Sequence, residues 1–240
     1  MKKTFLLSML CTSLAITATP LAISIDGKPN AEIVLPQSLQ NEQPALLAAQ
    51  ELQLWIREIS GAELSIVEAE TGKFPLTLKL ALKPTDFPQD TQVIGETDGY
   101  AVRPTNNGLL LFANVPGGLL CGVHRFLYRN TDIIWARPNR DFGTVFTKKP
   151  NLSFTQFDYI DIPAFIQRGW QIETGNKEGA KEAFAACDDW QMRNGSNWST
   201  STFATKKRFG FILEYGGGHN LIGLFQSVST ACSVIDLILR

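Results

Sequence analysis

The residues able to do chemistry are few, and two stand out by position. Arg168 lies at the predicted end of a strand, where its planar guanidinium offers a rigid fork of donors suited to two neighbouring hydroxyls. The structural alternative for it is a salt bridge. His219 follows three glycines, Gly216–Gly218, at the predicted end of a later strand. Glycines let backbone approach a ligand closely, and an imidazole there can hydrogen-bond or orient a carboxyl. The alternative is a turn that merely needs glycine. The three glycines make no phosphate loop, because no Gly-Lys-Ser/Thr follows. The only adjacent acid pair, Asp188–Asp189, falls inside a predicted helix and is expected on its solvated surface. Trp170 offers an aromatic platform, although in an inward-facing strand it is expected in the core. His124 is expected to be packing or surface. With two histidines in the chain, a multi-histidine metal site is ruled out, and no metal or organic cofactor is implied.

The elements that must position these residues fall into two regions. Residues 23–155 read as a compact α/β unit. Ala31–Leu35 is a strand ended by Pro36. Pro44–Ile59 is a helix whose Leu47, Leu52, Trp55, Ile56 and Ile59 recur near helical spacing, with Pro44 in its first turn and Gly61 as C-cap. Strands follow at 63–67, 76–82, 100–103 and 109–113, the last two joined by an Asn107-Gly108 turn. Gly117-Gly118 opens a second helix, 119–129, and 133–135 is a further strand. The order β-α-β-β-β-β-α-β predicts a small α+β sandwich, a sheet with two helices on one face. Residues 150–162 are expected to be a linker. Beyond Pro163, strand candidates at 165–172, after Asn197 and at 209–215 alternate with helix candidates at 180–193 and 203–208, which predicts a parallel sheet.

The N-terminus reads as an address. Met1-Lys2-Lys3, an apolar run from Phe5 to Ile16, and small residues at Ala18 and Ala22 have the order of a secretory signal peptide, so residues 1–22 are assigned to it and the product is expected to be periplasmic or secreted. The run is too short to span a bilayer stably. Losing Lys2 and Lys3 takes the net charge from −1 to −3, which gives no electrostatic reason to expect nucleic acid or an anionic membrane as partner. Hydrophobic residues make up 44% and charged ones 19%, as in a globular protein. Cys121, Cys187 and Cys232 remain after the leader, an odd number that makes a complete disulfide framework impossible. Cys121 and Cys187 sit among apolar helical positions and are expected to be small buried hydrophobes.

Several stretches carry a resemblance. Ala48-Ala49-Gln50-Glu51-Leu52 with Ile59-Ser60-Gly61-Ala62 resembles the "AA-x-E-L … I-[ST]-G-A" helix in the small domain that precedes the barrel of bacterial β-hexosaminidases and α-glucuronidases. Asp98-Gly99-Tyr100 and Gly117-Gly118-x-x-x-Gly122-Val123-x-x-Phe126-Leu127 match that domain's second half. Pro163-Ala-Phe165-x-x-Arg168-Gly169 is similar to the "P-x-F-x-x-R-G" opening of the hexosaminidase barrel. Met192-x-x-Gly195-x-Asn197-Trp198 is similar to its second-strand motif, with Gly195 where a lysine stands. Phe209 to His219 is similar to a third strand ending in "P-G-H", with Gly217 in place of the proline.

The resemblance implies an N-terminal α+β domain over 23–155, the first units of an incomplete (β/α)₈ barrel over 163–222, and a divergent tail over 223–240. It implies a glycan substrate, with Arg168 and His219 as substrate-binding residues. Five Trp, four Tyr and 15 Phe are compatible with sugar stacking. Glycosidases need a catalytic acid beside a second carboxylate. In hexosaminidases that pair lies at the fourth barrel strand, beyond this chain's last residue, so no catalytic residue is assigned here. A barrel takes about 250 residues, and the expectation is a truncated or frameshifted product of an exported glycoside hydrolase. The alternative is a non-catalytic carbohydrate-binding module or an inactive fragment.

Overall fold

The computed structural model describes residues 19–139, 142–170, 180–198 and 207–210. Three short strands, β1 (Leu21–Ala22), β2 (Ser24–Ile25) and β3 (Lys28–Pro29), precede β4 (Ala31–Val34), whose four residues are all buried. Helix α1 (Gln43–Ser60) has Pro44 at its start, where the missing N–H costs no helix bond. It stops at Gly61, whose φ of 84° is left-handed and whose N–H returns to the Arg57 carbonyl. Then come β5 (Ile66–Val67), β6 (Leu76–Leu82), α2 (Pro88–Ile94), β7 (Tyr100–Thr105), β8 (Gly108–Ala113) and α3 (Pro116–Asn130). The order continues with β9 (Ile134–Trp135), β10 (Thr144–Val145), β11 (Ser153–Phe154), β12 (Tyr159–Asp161) and α4 (Ala180–Arg193).

Six strands form one mixed, mostly parallel sheet in the order β12-β7-β8-β6-β4-β5. Strands β5, β4, β6 and β8 are parallel neighbours, and β7 is antiparallel to both β8 and β12. Side-chain alternation separates the two faces. Leu78, Leu80, Tyr100, Val102, Leu109 and Leu111 join α1 and α3 in the main core. Ala101, Leu110 and Phe112 face the other way, onto Phe87 and Ile94 of the α2 segment. Two long helices on one face are as the pattern predicts. Helix α2 on the opposite face is an addition, hidden because only Ile94 of its seven residues is buried.

Other differences are local. The β7–β8 turn is Asn106–Asn107, with Gly108 already paired to Thr105. The 133–135 strand leaves the main sheet and pairs with β10 as a separate ribbon. Residues 150–162, expected as a linker, instead supply β11, paired to β1, and β12, the edge strand beside β7. Helix α4 forms over the predicted 180–193. Of the strand expected at 165–172, residues 165–170 form none. At this point the Asn197 side-chain oxygen, not a backbone carbonyl, accepts the Arg168 N–H (2.8 Å), so no ladder propagates. Phe209, expected to start a strand, ends a helical turn instead. The remainder of that strand, and the tail, lie outside the described residues.

Candidate functional site

Three of the motifs noted in the sequence meet at one point. Asp98 sits before β7, Arg168 in the segment after β12, and Asn197 just beyond α4. The Arg168 guanidinium pairs with Asp98 through Nη1 (3.2 Å) and Nη2, donates from Nε to the Gly195 carbonyl (2.9 Å), and donates from Nη1 to the Phe165 carbonyl (2.7 Å). Asn197 Nδ2 donates to Asp98 (3.1 Å) and to the Ile166 carbonyl (2.6 Å). The Asn197 N–H in turn reaches the Arg168 carbonyl at 2.8 Å. Four of the five guanidinium N–H groups are therefore held by protein, and the side chain is 18% exposed. Burial would lower the Arg168 pKa, but the bond to Asp98 more than reverses this and raises it.

The close packing that sets this geometry comes from glycines. A Cβ on Gly122 of α3 would stand 2.8 Å from the Tyr100 ring, and one on Gly117 would stand 2.8 Å from the Gly210 carbonyl oxygen. Beside Arg168 lies a cavity of about 260 Å³ lined by Tyr100, Cys121, Arg125, Asp161 and residues 162–164. Asp161 accepts from Tyr100 Oη (3.2 Å) and Arg129 Nη2 (2.8 Å). Burial, with Tyr159 and Asp161 adding to it, pushes the Tyr100 phenol far above its ordinary value. Burial also pushes the Cys121 thiol up to about 11. Both Cys121 and Cys187 are buried and free, as their apolar surroundings in the sequence suggest.

His219 lies outside the described residues. Asp188 and Asp189 do not form the solvated surface expected of them. Asp188 is buried, and Asp189 is largely covered, with Arg208 Nη1 4.0 Å away. Trp170 is not in the core: it is 52% exposed and stacks on Trp190 with ring centroids 5.2 Å apart.

The residue that sequence reasoning passed over is Glu51. It occupies the acid position of the Ala48-Ala49-x-Glu51-Leu52 stretch, yet it is buried. Its carboxylate accepts from Arg193 Nε (3.0 Å) and Nη2 (2.9 Å), from Trp55 Nε1 (2.8 Å) and from His124 Nε2 (3.1 Å). An ionised carboxylate only accepts, so His124 Nε2 carries its hydrogen toward Glu51. Burial works to raise the Glu51 pKa, but the bonds from His124 and Arg193 overcome it and hold the carboxyl far below its usual range. The signal was available: Glu51 falls four residues after Leu47 and four before Trp55, inside the apolar stripe. Above this cluster, α1, the β9–β10 ribbon and α4 enclose a cleft of about 500 Å³ walled by Trp55, Trp135, Phe146 and Trp190.

Among the described residues, no group of three His, Cys, Asp or Glu side chains is placed to hold a metal, and no helix is long and apolar enough to cross a membrane.

Neither a protein-family model nor a curated protein matches the sequence. Solved structures similar to it include glycoside hydrolases. A Streptomyces plicatus β-hexosaminidase is 18% identical over 63% of this chain and 25% of its own, with a TM-score of 0.35. A GH20 β-N-acetylhexosaminidase from Streptomyces coelicolor A3(2) is 16% identical over 64% of this chain and 26% of its own, with a TM-score of 0.40. A family GH115 4-O-methyl-α-glucuronidase with specificity for decorated arabinogalactans is 12% identical over 80% of this chain and 29% of its own, with a TM-score of 0.49. The chain thus spans less than a third of the length of these proteins.

Proposed function

We propose that this chain belongs to an exported glycoside hydrolase of the β-hexosaminidase or α-glucuronidase kind, acting on glycans, and that it supplies the accessory sheet domain together with the opening of the barrel. One observation carries this reading. Asp98, Arg168 and Asn197 come from three separate motifs that resemble those enzymes, and they converge on a single ion-pair and hydrogen-bond network. Unrelated motif matches have no physical reason to converge.

In this reading Arg168 works first as a positioning residue. By bonding Asp98 and the carbonyls of Phe165 and Gly195, it anchors the Pro163–Gly169 segment to the sheet domain. Its side chain also borders the 260 Å³ cavity, where it is proposed to contact a sugar hydroxyl, and His219 is proposed as a second substrate contact. A glycan array presenting N-acetylhexosamine- and glucuronic-acid-bearing chains tests the reading. The full chain is expected to retain glycans of one of those two classes. A blank array from a folded sample overturns the proposal.

A further inference from the structure

The 500 Å³ cleft above Glu51 is built from residues that the Arg168 network does not use. Its walls are aromatic. Trp55 meets Trp135 edge-on at 5.8 Å and Phe146 at 6.2 Å. Trp190 faces it from α4, held by its Nε1 donating to the Trp135 carbonyl (2.9 Å), and the half-exposed Trp170 stacked on Trp190 extends the aromatic surface outward. The polar lining carries both signs, Arg137 and Arg193 against Glu58 and Asp189. Arg193 is fixed by Glu51 with its guanidinium 5.1 Å from the Trp55 ring centre. Arg137 is exposed; its backbone bonds Gly143 and Asn139, while its guanidinium has no hydrogen-bond or ion-pair partner among the described residues. Trp135 is 5% exposed, and its Nε1–H, buried, has no partner among the described residues.

We infer that this cleft is a saccharide-binding site. Its volume lies within the roughly 300–1,000 Å³ of small-ligand pockets. Indole faces pack on the apolar C–H faces of a pyranose, and the Arg137 fork suits its ring hydroxyls. Glu58 and Asp189 beside Arg137 and Arg193 disfavour a strongly anionic ligand, and four charged side chains disfavour an apolar peptide. The unpaired guanidinium of Arg137 in this lining calls for a ligand rich in acceptors, as a sugar is.

The test is titration of the full chain with chitotriose and with a glucuronic-acid-capped xylo-oligosaccharide, followed through the tryptophan indole N–H resonances assigned by Trp→Phe variants. Saturable shifts of Trp135 and Trp190 are expected with at least one sugar. Arg137→Ala, at an exposed position, is expected to weaken that binding about tenfold without changing the thermal midpoint, and Trp190→Ala to abolish it. If Trp190→Ala fails to fold, Arg137→Ala decides alone. No saturable shift with either sugar overturns the inference, as does binding that Arg137→Ala leaves intact. A glycan retained on the array but indifferent to Arg137 would sink this inference while leaving the proposed function standing. Cleft binding with a blank array would do the reverse.

Discussion

Glu51 shows how much one charge can organise once it is buried. Four donors from three side chains satisfy it, and two of them belong to Arg193, which is more than a hundred residues away in sequence. Removing one partner of a buried pair strands the other in a low-dielectric site. Glu51→Gln is therefore expected to destabilise the protein by roughly 3–5 kcal/mol, measured by denaturant unfolding at neutral pH. The pH dependence has a definite sign. Because the folded carboxyl is held below its ordinary value of 4.5, its stabilisation is complete above that value and is lost as pH falls beneath it. The gap between wild type and Glu51→Gln should accordingly narrow as pH drops below 4.5. A gap that stays constant would mean that Glu51 carries no depressed ionisation.

At the scale of elements, α3 is set by what its glycines permit. Gly118 lies against the backbone of Asp98 and Gly99, and Gly122 against the Tyr100 ring, so α3 rides close over the start of β7. That approach keeps Asp98 at the helix's side, where Arg168 reaches it. Alanine is the better helix former by about 1 kcal/mol, yet the Gly122→Ala methyl would stand 2.8 Å from a ring that is 1% exposed and has nowhere to go. The overpacking term wins. Gly122→Ala should lose about 1–3 kcal/mol by thermal or chemical unfolding. An unchanged or raised midpoint would show that the helix can move off the sheet at no cost.

At the scale of the molecule, α4 and the residues around it share the sheet domain's core instead of standing apart. Met192 and Phe209 belong to the same apolar cluster as Leu52, Tyr100 and Phe126, and Trp190 hydrogen-bonds the ribbon at Trp135. The N-terminal end is tied in as well. Leu21 and Ala22 pair with Phe154 and Ser153, and Ile23 is fully buried. With export as proposed, this constrains where the leader is cut. Cleavage after Ala22 would remove β1, whereas cleavage near Ala18 preserves it. N-terminal sequencing of the exported protein should read a first residue upstream of Leu21. A start at Ile23 or later would contradict that, and an intact Met1 would contradict export altogether.

The sequence by itself determined the parts whose causes are local. The α1 stripe with Pro44 and Gly61 at its ends, the partly buried β6 and the buried β8, α3, α4 over 180–193 and the buried free cysteines all follow from periodicity, capping and apolar neighbours. Tertiary structure alone decided the rest, because the deciding partner lies far along the chain. Helix α2 is too short and polar to announce itself, and exists where Phe87 and Ile94 meet the far face of the sheet. Residues 159–161 look like linker until β7 presents an unpaired edge. Glu51 reads as one more helical acid until Arg193 arrives, and Trp170 as core until Trp190 offers a surface stack. Arg168 could be recognised as a fork from sequence, but what the fork holds depends on Asp98, seventy positions away. Local grammar fixes secondary structure through backbone and solvent. Charge pairing and close approach are settled only when distant segments share one dry interior.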